Sequence, residues 1–74
     1  MAQRNKKSGK DLTRMEKEVL DKLKCGMFNK EIADFYKLSI NTIRAHVHNI
    51  LIKLGVNNRT EAIVEYMKMT GEMQ

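Results

Sequence analysis

The sequence predicts an all-α fold, a small four-helix bundle, on the basis of three observations. The chain of 74 residues contains no proline, so only glycines and capping residues can end its helices. Apolar residues recur three and four positions apart, as they do on one face of a helix, and no segment alternates as a strand would. The segments between the predicted helices are short, which favours compact packing of neighbouring helices.

The first predicted helix covers about residues 14–25. Thr13 and Glu16, at its start, have the spacing of a capping box, in which each side chain accepts a hydrogen bond from the other residue's backbone. Gly26 follows the last apolar position and is a natural stop.

The second predicted helix covers about residues 29–36, with Asn29 as its candidate N-cap. Ala33 lies where this helix must approach the next one closely, which requires a small side chain. The connection that follows is short. A short turn between two packed helices often needs a residue with positive φ, which we expect at Lys37 or its neighbour.

The third predicted helix covers about residues 40–54, from an N-cap at Ser39 to a stop at Gly55. One apolar stripe along it is expected to face the core: Ile43, Val47, Ile50, Leu51 and Leu54. The opposite face carries Asn41, Ala45, His48, Asn49 and Ile52, flanked by Arg44, Thr42, His46 and Lys53.

The outward face of the third helix is unusual because it lies in a window without acids, from Phe35 to Thr60. An ordinary exposed helix mixes Glu with Lys. Here hydrogen-bonding and basic side chains surround the small Ala45, which permits close approach to a surface. This combination suits the major groove of DNA, where an acid would oppose binding to phosphates. The second helix, its connection and the third helix are therefore predicted to form a helix-turn-helix.

The fourth predicted helix covers about residues 59–70. Asn58 and Glu61 resemble a second capping box, and Gly71 ends the helix. Its predicted inward stripe consists of Ala62, Ile63, Tyr66 and Met69. Its opposite face carries Thr60, Val64, Met67 and Lys68, and the two apolar members of this set form a spot that a partner subunit can cover.

The positive charge of the chain is concentrated at its beginning. The formal net charge is +5, and residues 1–10 contain four lysines or arginines and no acid. Residues 1–11 are therefore predicted to be a basic, disordered arm, with contact to DNA as the alternative, and residues 12–74 the folded domain. The overall sign of the charge favours a polyanionic partner.

Several kinds of chemistry are excluded by the residues present. Cys25 is the only cysteine, so no disulfide forms; a structural role is expected for it, with a redox-sensor role as the alternative. His46 and His48 lie on different sides of a helix, so no metal site is expected. His46 itself either packs against a neighbouring helix or contacts a phosphate. No catalytic set, cofactor motif, membrane span or signal peptide is present, so the chain is not expected to be an enzyme.

Several segments together resemble the LuxR/FixJ-type DNA-binding domain. They are LTRMEKEVL, NKEIA, TIRAH and NILIKLGVNNRTEAI, in the family's order and spacing, with Gly26 and Ser39 between them. The resemblance covers about residues 12–69. It implies the fold of the LuxR-type C-terminal effector domain and a transcriptional regulator that resembles the stand-alone, GerE-like members of the family. A domain cut from a longer regulator is the alternative, because it would have the same sequence features.

The resemblance also implies roles for individual residues. Arg44, Ala45 and His48 would face base edges, and Asn29, Lys30, Thr42 and Lys53 would face phosphates. Asn41 and Asn49 join the predicted DNA-binding set because they share the outward face. The sequence departs from the family at Phe28, where Ser or Thr is common as the N-cap of the second helix, and at Tyr36, where Leu is usual.

The expected partners follow from the same resemblance. They are double-stranded DNA, a second copy of the chain bound through the fourth helix, and RNA polymerase, with no membrane and no small-molecule ligand. The expected location is the cytoplasm, in association with the nucleoid. The alternative function is that of a helix-turn-helix-shaped adaptor that binds a protein. Such an adaptor would need an exposed apolar patch on the third helix, where Ile52 is the only large apolar residue expected outside the core.

Overall fold

The computed structural model describes residues 12–72, which form four α-helices and, within that range, no strand. The helices are α1 (Arg14–Lys24), α2 (Asn29–Tyr36), α3 (Ile40–Leu54) and α4 (Arg59–Met69). The predicted all-α fold with a helix-turn-helix is confirmed, although α1 and α4 end one residue earlier than predicted. The predicted arm, residues 1–11, lies outside the described residues.

The core is built around α3, which packs against each of the other three helices. The predicted stripe of α3 faces inward: three of its residues are buried, and Val47 and Leu51 are partly buried against the core. Ala33 is buried on α2, as its small size at the helix contact predicts. The largest fully buried side chains are Leu20, Ile32, Ile43, Ile50, Leu54 and Val19.

The inward stripe of α4 is confirmed only in part. Ala62 and Tyr66 are buried and Ile63 packs against the core, but Met69 is 40% exposed. The prediction for Met69 is wrong because the core does not extend to the last residue of α4. Met69 instead lines an open groove together with Leu12 and Lys17.

Three helices begin at a side-chain cap. Thr13 and Glu16 form the complete predicted box, with 2.9 Å from Thr13 N to Glu16 Oε1 and 3.1 Å from Glu16 N to Thr13 Oγ1. Ser39 Oγ accepts from Thr42 N at 3.1 Å. Asn58 caps α4 as predicted, but the predicted second capping box is incomplete, because Glu61 does not accept from the Asn58 backbone. The carboxylate of Glu61 accepts from the backbone of Asn57, one residue before the cap. The N-cap position is confirmed in each of the three helices.

The start of α2 differs from its prediction. Asn29 is the first helical residue, and Phe28 occupies the N-cap position with extended backbone. The prediction of Asn29 as the cap is therefore wrong, because the helix begins one residue earlier than an Asn29 cap would allow. The Glu31 carboxylate accepts a hydrogen bond from Phe28 N at 2.8 Å, but the Phe28 side chain cannot return one. At the other end Lys37 has φ of 58°, which confirms the predicted positive-φ residue.

Candidate nucleic-acid interface

The outward face of α3 is exposed as predicted. Asn41, Arg44, Ala45, His48 and Asn49 are all exposed, and Ile52 is 64% exposed. Within residues 12–72 no other side chain forms a hydrogen bond with the four polar members of this set. Their donors and acceptors therefore face solvent, on a surface that lies inside the acid-free window.

Two further features of α3 bear on its exposed face. The Thr42 hydroxyl lies 2.9 Å from Ser39 Oγ, so it takes part in the cap of the helix. Ile40, the first residue of α3, is 36% exposed, so the expectation that Ile52 is the only exposed large apolar residue of this helix is wrong. The core stripe begins one turn later, at Ile43, which leaves Ile40 at the edge of the bundle.

The first turn of α2 lies beside the first turn of α4. Arg59 Nη2 donates a 3.0 Å hydrogen bond to Asn29 Oδ1. Because the amide oxygen is occupied, Asn29 has its NH2 group left as a donor. Lys30, the next residue, is exposed. Sequence reasoning missed the role of Arg59 in orienting Asn29; the one available signal was its position inside the acid-free window.

Lys53 is placed differently from the other predicted phosphate contacts. Its ammonium group lies 2.9 Å from Glu16 Oε1, and 30% of its side chain is exposed. Glu16 is a buried acid that sequence reasoning assigned only to a capping box. The partners are 37 positions apart in sequence, so no local spacing indicates the pair.

The environment of Glu16 favours its charged form. Burial tends to raise the pKa of this carboxyl. The hydrogen bonds from Lys53 and from the Thr13 backbone, with the positive charges of Lys53 and His46, outweigh burial and lower the pKa below its ordinary value. His46 is half-buried, so both its packing role and its phosphate contact stay open.

The outward face of α4 forms a shallow groove. Val64 lines it together with Val56 and Thr60, and Glu61 and Glu65 border it. Met67 is half-buried and Lys68 is exposed, with Lys68 Nζ 3.8 Å from Glu65 Oε2. The predicted dimer face is therefore an apolar strip with charged edges. Val56, which comes from the loop before α4, was not part of the prediction.

Residues 12–72 contain neither a helix that could cross a membrane nor a cluster of metal-binding side chains. No helix in this part of the chain is long and apolar enough to cross a membrane. No group of three or more histidine, cysteine, aspartate or glutamate side chains in the same range is placed to hold a metal ion. Cys25 is exposed and ends α1 as its C-cap.

A short α2, a left-handed turn and a longer α3 with an exposed, acid-free face define the class of helix-turn-helix DNA-binding domains. The family described as "Bacterial regulatory proteins, luxR family" (GerE) matches residues 10–66. The chain therefore belongs to the luxR family, a family of transcriptional regulators and not of enzymes.

Relatives of two kinds share this domain. A probable csgAB operon transcriptional regulatory protein of Salmonella typhimurium is 46% identical over 52 residues, covering 70% of this chain but 24% of the relative. The transcriptional regulatory protein DegU of Brevibacillus brevis is 46% identical over 57 residues, 77% of this chain and 24% of the relative. The spore germination protein GerE of Bacillus subtilis is 41% identical over 63 residues, 85% of this chain and 84% of GerE. The chain thus spans about a quarter of the first two relatives and most of the third.

Proposed function

We propose that the chain is a sequence-specific transcriptional regulator that inserts α3 into the major groove of DNA. The observation that carries this proposal is the exposed face of α3, whose polar side chains are unbonded within residues 12–72 and which lies in a stretch of sequence without acids, residues 35–60. Major-groove base edges offer the donors, acceptors and thymine methyl groups that such a face can read. We expect such a regulator to act in the cytoplasm, bound to the nucleoid. RNA polymerase is its predicted protein partner.

The proposed contacts fall into two groups. Arg44, Ala45 and His48 read base edges, with Asn41 and Asn49 beside them on the same face. Asn29, Lys30 and Thr42 bind phosphates, which position the domain on the duplex without reading sequence. The hydrogen bond from Arg59 supports the role of Asn29, because it occupies the amide oxygen and leaves the amide NH2 group as a donor.

Selection of bound sequences from a random DNA pool, followed by affinity titrations at several salt concentrations, tests these roles. Arg44→Ala is expected to cost about 1–3 kcal/mol of binding free energy on the selected duplex and to relax preference at one base pair. Lys30→Ala is expected to weaken binding to all sequences alike and to lower the salt slope by about one unit. No enriched sequence from the pool would favour the protein-binding adaptor. Equal, sequence-independent losses in both variants would refute the role of Arg44.

We further propose that two copies bind DNA as a homodimer through the outward face of α4. The half-exposed Val64 and Met67, with Val56 in the adjoining groove, support this face, and a domain of this size gains stability from association. A two-fold dimer presents two copies of α3 to half-sites about 10 bp apart, or a multiple of that spacing. The operator is then a loose palindrome.

Val64→Asp tests the dimer face, because it places like charges near the two-fold axis. Cooperative binding to DNA with two half-sites should be lost and binding to one half-site retained, as measured by gel shift and sedimentation. Met69→Asp is the matched control: it puts the same charge on an exposed position of the same helix, away from this face. Unchanged cooperativity in Val64→Asp would exclude this face.

A further inference from the structure

Lys53 and Glu16 connect the last turn of the proposed recognition helix to the first turn of α1. One carboxylate oxygen, Glu16 Oε1, accepts both from Lys53 Nζ at 2.9 Å and from Thr13 N at 2.9 Å. The exposed fraction of the side chain is 4% for Glu16 and 30% for Lys53. The acid is thus buried, while the lysine reaches inward from the flank of α3.

This geometry sets Lys53 apart from a phosphate contact. If its ammonium group moved to a DNA phosphate, Glu16 would stay buried with the Thr13 amide as the only donor on that oxygen. A buried charge that loses its partner is strongly unfavourable, so the contact with Glu16 opposes transfer of the ammonium group to a phosphate. Lys53 is also already neutralised by Glu16. Its approach to DNA would therefore release few counterions, and counterion release is the source of salt-dependent affinity.

The pair has a directional role that the core does not supply. Ile50 and Leu54 hold the same half of α3 through apolar packing, whose driving force is non-directional. At the other end, the short connection from α2, residues 37–39, limits where α3 can begin. Within residues 12–72, the Lys53–Glu16 ion pair is the polar contact that joins the C-terminal half of α3 to α1.

We propose that Lys53 is a positioning residue for DNA recognition: through Glu16 it sets the orientation in which the outward face of α3 meets the major groove. This inference rests on the proposed function, because it assigns a role within the same DNA-binding surface. It replaces the sequence-based prediction that Lys53 binds a phosphate. Recognition depends on placement of the reading side chains to a fraction of an ångström, so a small rotation of α3 weakens specific binding more than non-specific binding.

Three variants separate positioning from the alternatives: Lys53→Met, the double variant Glu16→Gln/Lys53→Met, and Lys30→Ala as the phosphate-contact control. Lys53→Met leaves a buried carboxylate unpaired. The double variant removes both charges but keeps an oxygen that can accept from the Thr13 amide. The probes are the duplex selected by the wild-type protein and a random-sequence duplex of the same length. Affinities are measured below the unfolding transition of every variant, as established by circular dichroism.

A positioning role predicts that Lys53→Met lowers the ratio of specific to non-specific affinity by about tenfold, the size of one good base contact. Its salt slope should match that of the wild type. The double variant also lacks the ion pair, so its ratio should stay lowered although no buried charge is left unpaired. Lys30→Ala should lower the salt slope by about one unit and leave the ratio unchanged.

Three results would overturn the inference while leaving the proposed function intact. A ratio that recovers in the double variant would show that the unpaired carboxylate, and not a lost orientation of α3, weakened recognition. A salt slope lowered by about one unit in both Lys53 variants would identify a phosphate contact. A lowered unfolding temperature with an unchanged affinity ratio would identify a purely structural pair. Failure of the wild-type protein to select any sequence would overturn the proposed function, and this inference with it.

Discussion

The first turns of α1 and α2 are built on the same spacing but are completed differently. Each has a glutamate at its third position, Glu16 in α1 and Glu31 in α2, whose carboxylate accepts from the backbone of the cap residue. In α1, Thr13 completes the reciprocal box, and the acid is buried against Lys53. In α2, Phe28 stands at the cap without a side-chain bond, and the acid is exposed.

The same glutamate spacing serves a different purpose in each of the two helices. In α1 the capping box stabilises the first turn, and its buried acid also connects α1 to α3 through Lys53. In α2 the first turn keeps backbone N–H groups without a side-chain acceptor, beside Asn29 and Lys30 at the proposed phosphate-binding end. The stability of α2 depends more on the burial of Ile32 and Ala33 than on its own ends.

The C-terminal ends of α2 and α3 differ in a related way. Both end in a left-handed residue, Gly55 after α3 with φ of 68° and Lys37 after α2 with φ of 58°. A side chain makes this conformation unfavourable, whereas glycine adopts it readily. The turn between α2 and α3 therefore contains backbone strain at Lys37, whereas the glycine at the end of α3 adopts the same conformation without strain.

Removal of the two glutamates should give the largest difference between the two first turns. Glu16→Ala loses half of a capping box and the bond to Lys53, so we expect a cost of about 2–3 kcal/mol in unfolding free energy. Glu31→Ala loses one exposed bond and should cost about 0.5 kcal/mol. Thermal unfolding measures both, at roughly 4–8 °C per kcal/mol for a domain of this size. Equal losses would show that the Lys53 pair adds nothing to the box.

Phe28→Ser should make the first turn of α2 resemble that of α1. A serine oxygen can accept from the Glu31 backbone and complete the box, with an expected gain of about 1 kcal/mol in unfolding free energy. Little packing is lost, because Phe28 is 69% exposed. Phe28→Ala is the control that removes the ring without adding a cap. A gain as large in Phe28→Ala as in Phe28→Ser would contradict the capping explanation.

Lys37→Gly tests the strained turn and should have a smaller effect. Glycine relieves the left-handed strain but adds entropy to the unfolded chain, so we expect a net gain of about 0.5 kcal/mol in chemical denaturation. Gly55→Ala is the reverse substitution and should cost about 1 kcal/mol. Loss of more than about 1 kcal/mol in Lys37→Gly would show that the lysine side chain makes a stabilising contact.

Acid titration should show the smallest effect, because burial opposes the groups that lower the Glu16 pKa. The folded pKa lies below the unfolded one, so the charged carboxylate stabilises the fold fully above the unfolded pKa. This contribution is lost as the pH falls through the folded pKa. The difference in unfolding free energy between the wild type and Glu16→Gln should therefore shrink on acidification. If the difference grew instead, the sign of the pKa shift would be wrong.

The sequence predicted most of the fold because helix signals are local. Caps such as Ser39, stops such as Gly55 and an apolar stripe with helical period act within a few residues of one another. The exposure of Ala45 and His48 followed from the same period, because a residue on the side opposite the core stripe must face solvent, and Arg44 was placed on the flank of that side. Asn29 was misassigned as a cap because helix boundaries are uncertain by a residue or two.

The sequence by itself determined the four helices, the core stripe of α3 and its acid-free outward face, since each depends on near neighbours in the chain. Only the tertiary structure decided which side chains meet across helices. Lys53 pairs with Glu16 across 37 positions, Arg59 bonds Asn29 across 30, and Tyr66 bonds Asp21 across 45. Spacing along one helix cannot encode such pairs, because they depend on the angle and depth at which separate helices pack. For the same reason Met69 fits the period of a core position and yet lies beyond the end of the core.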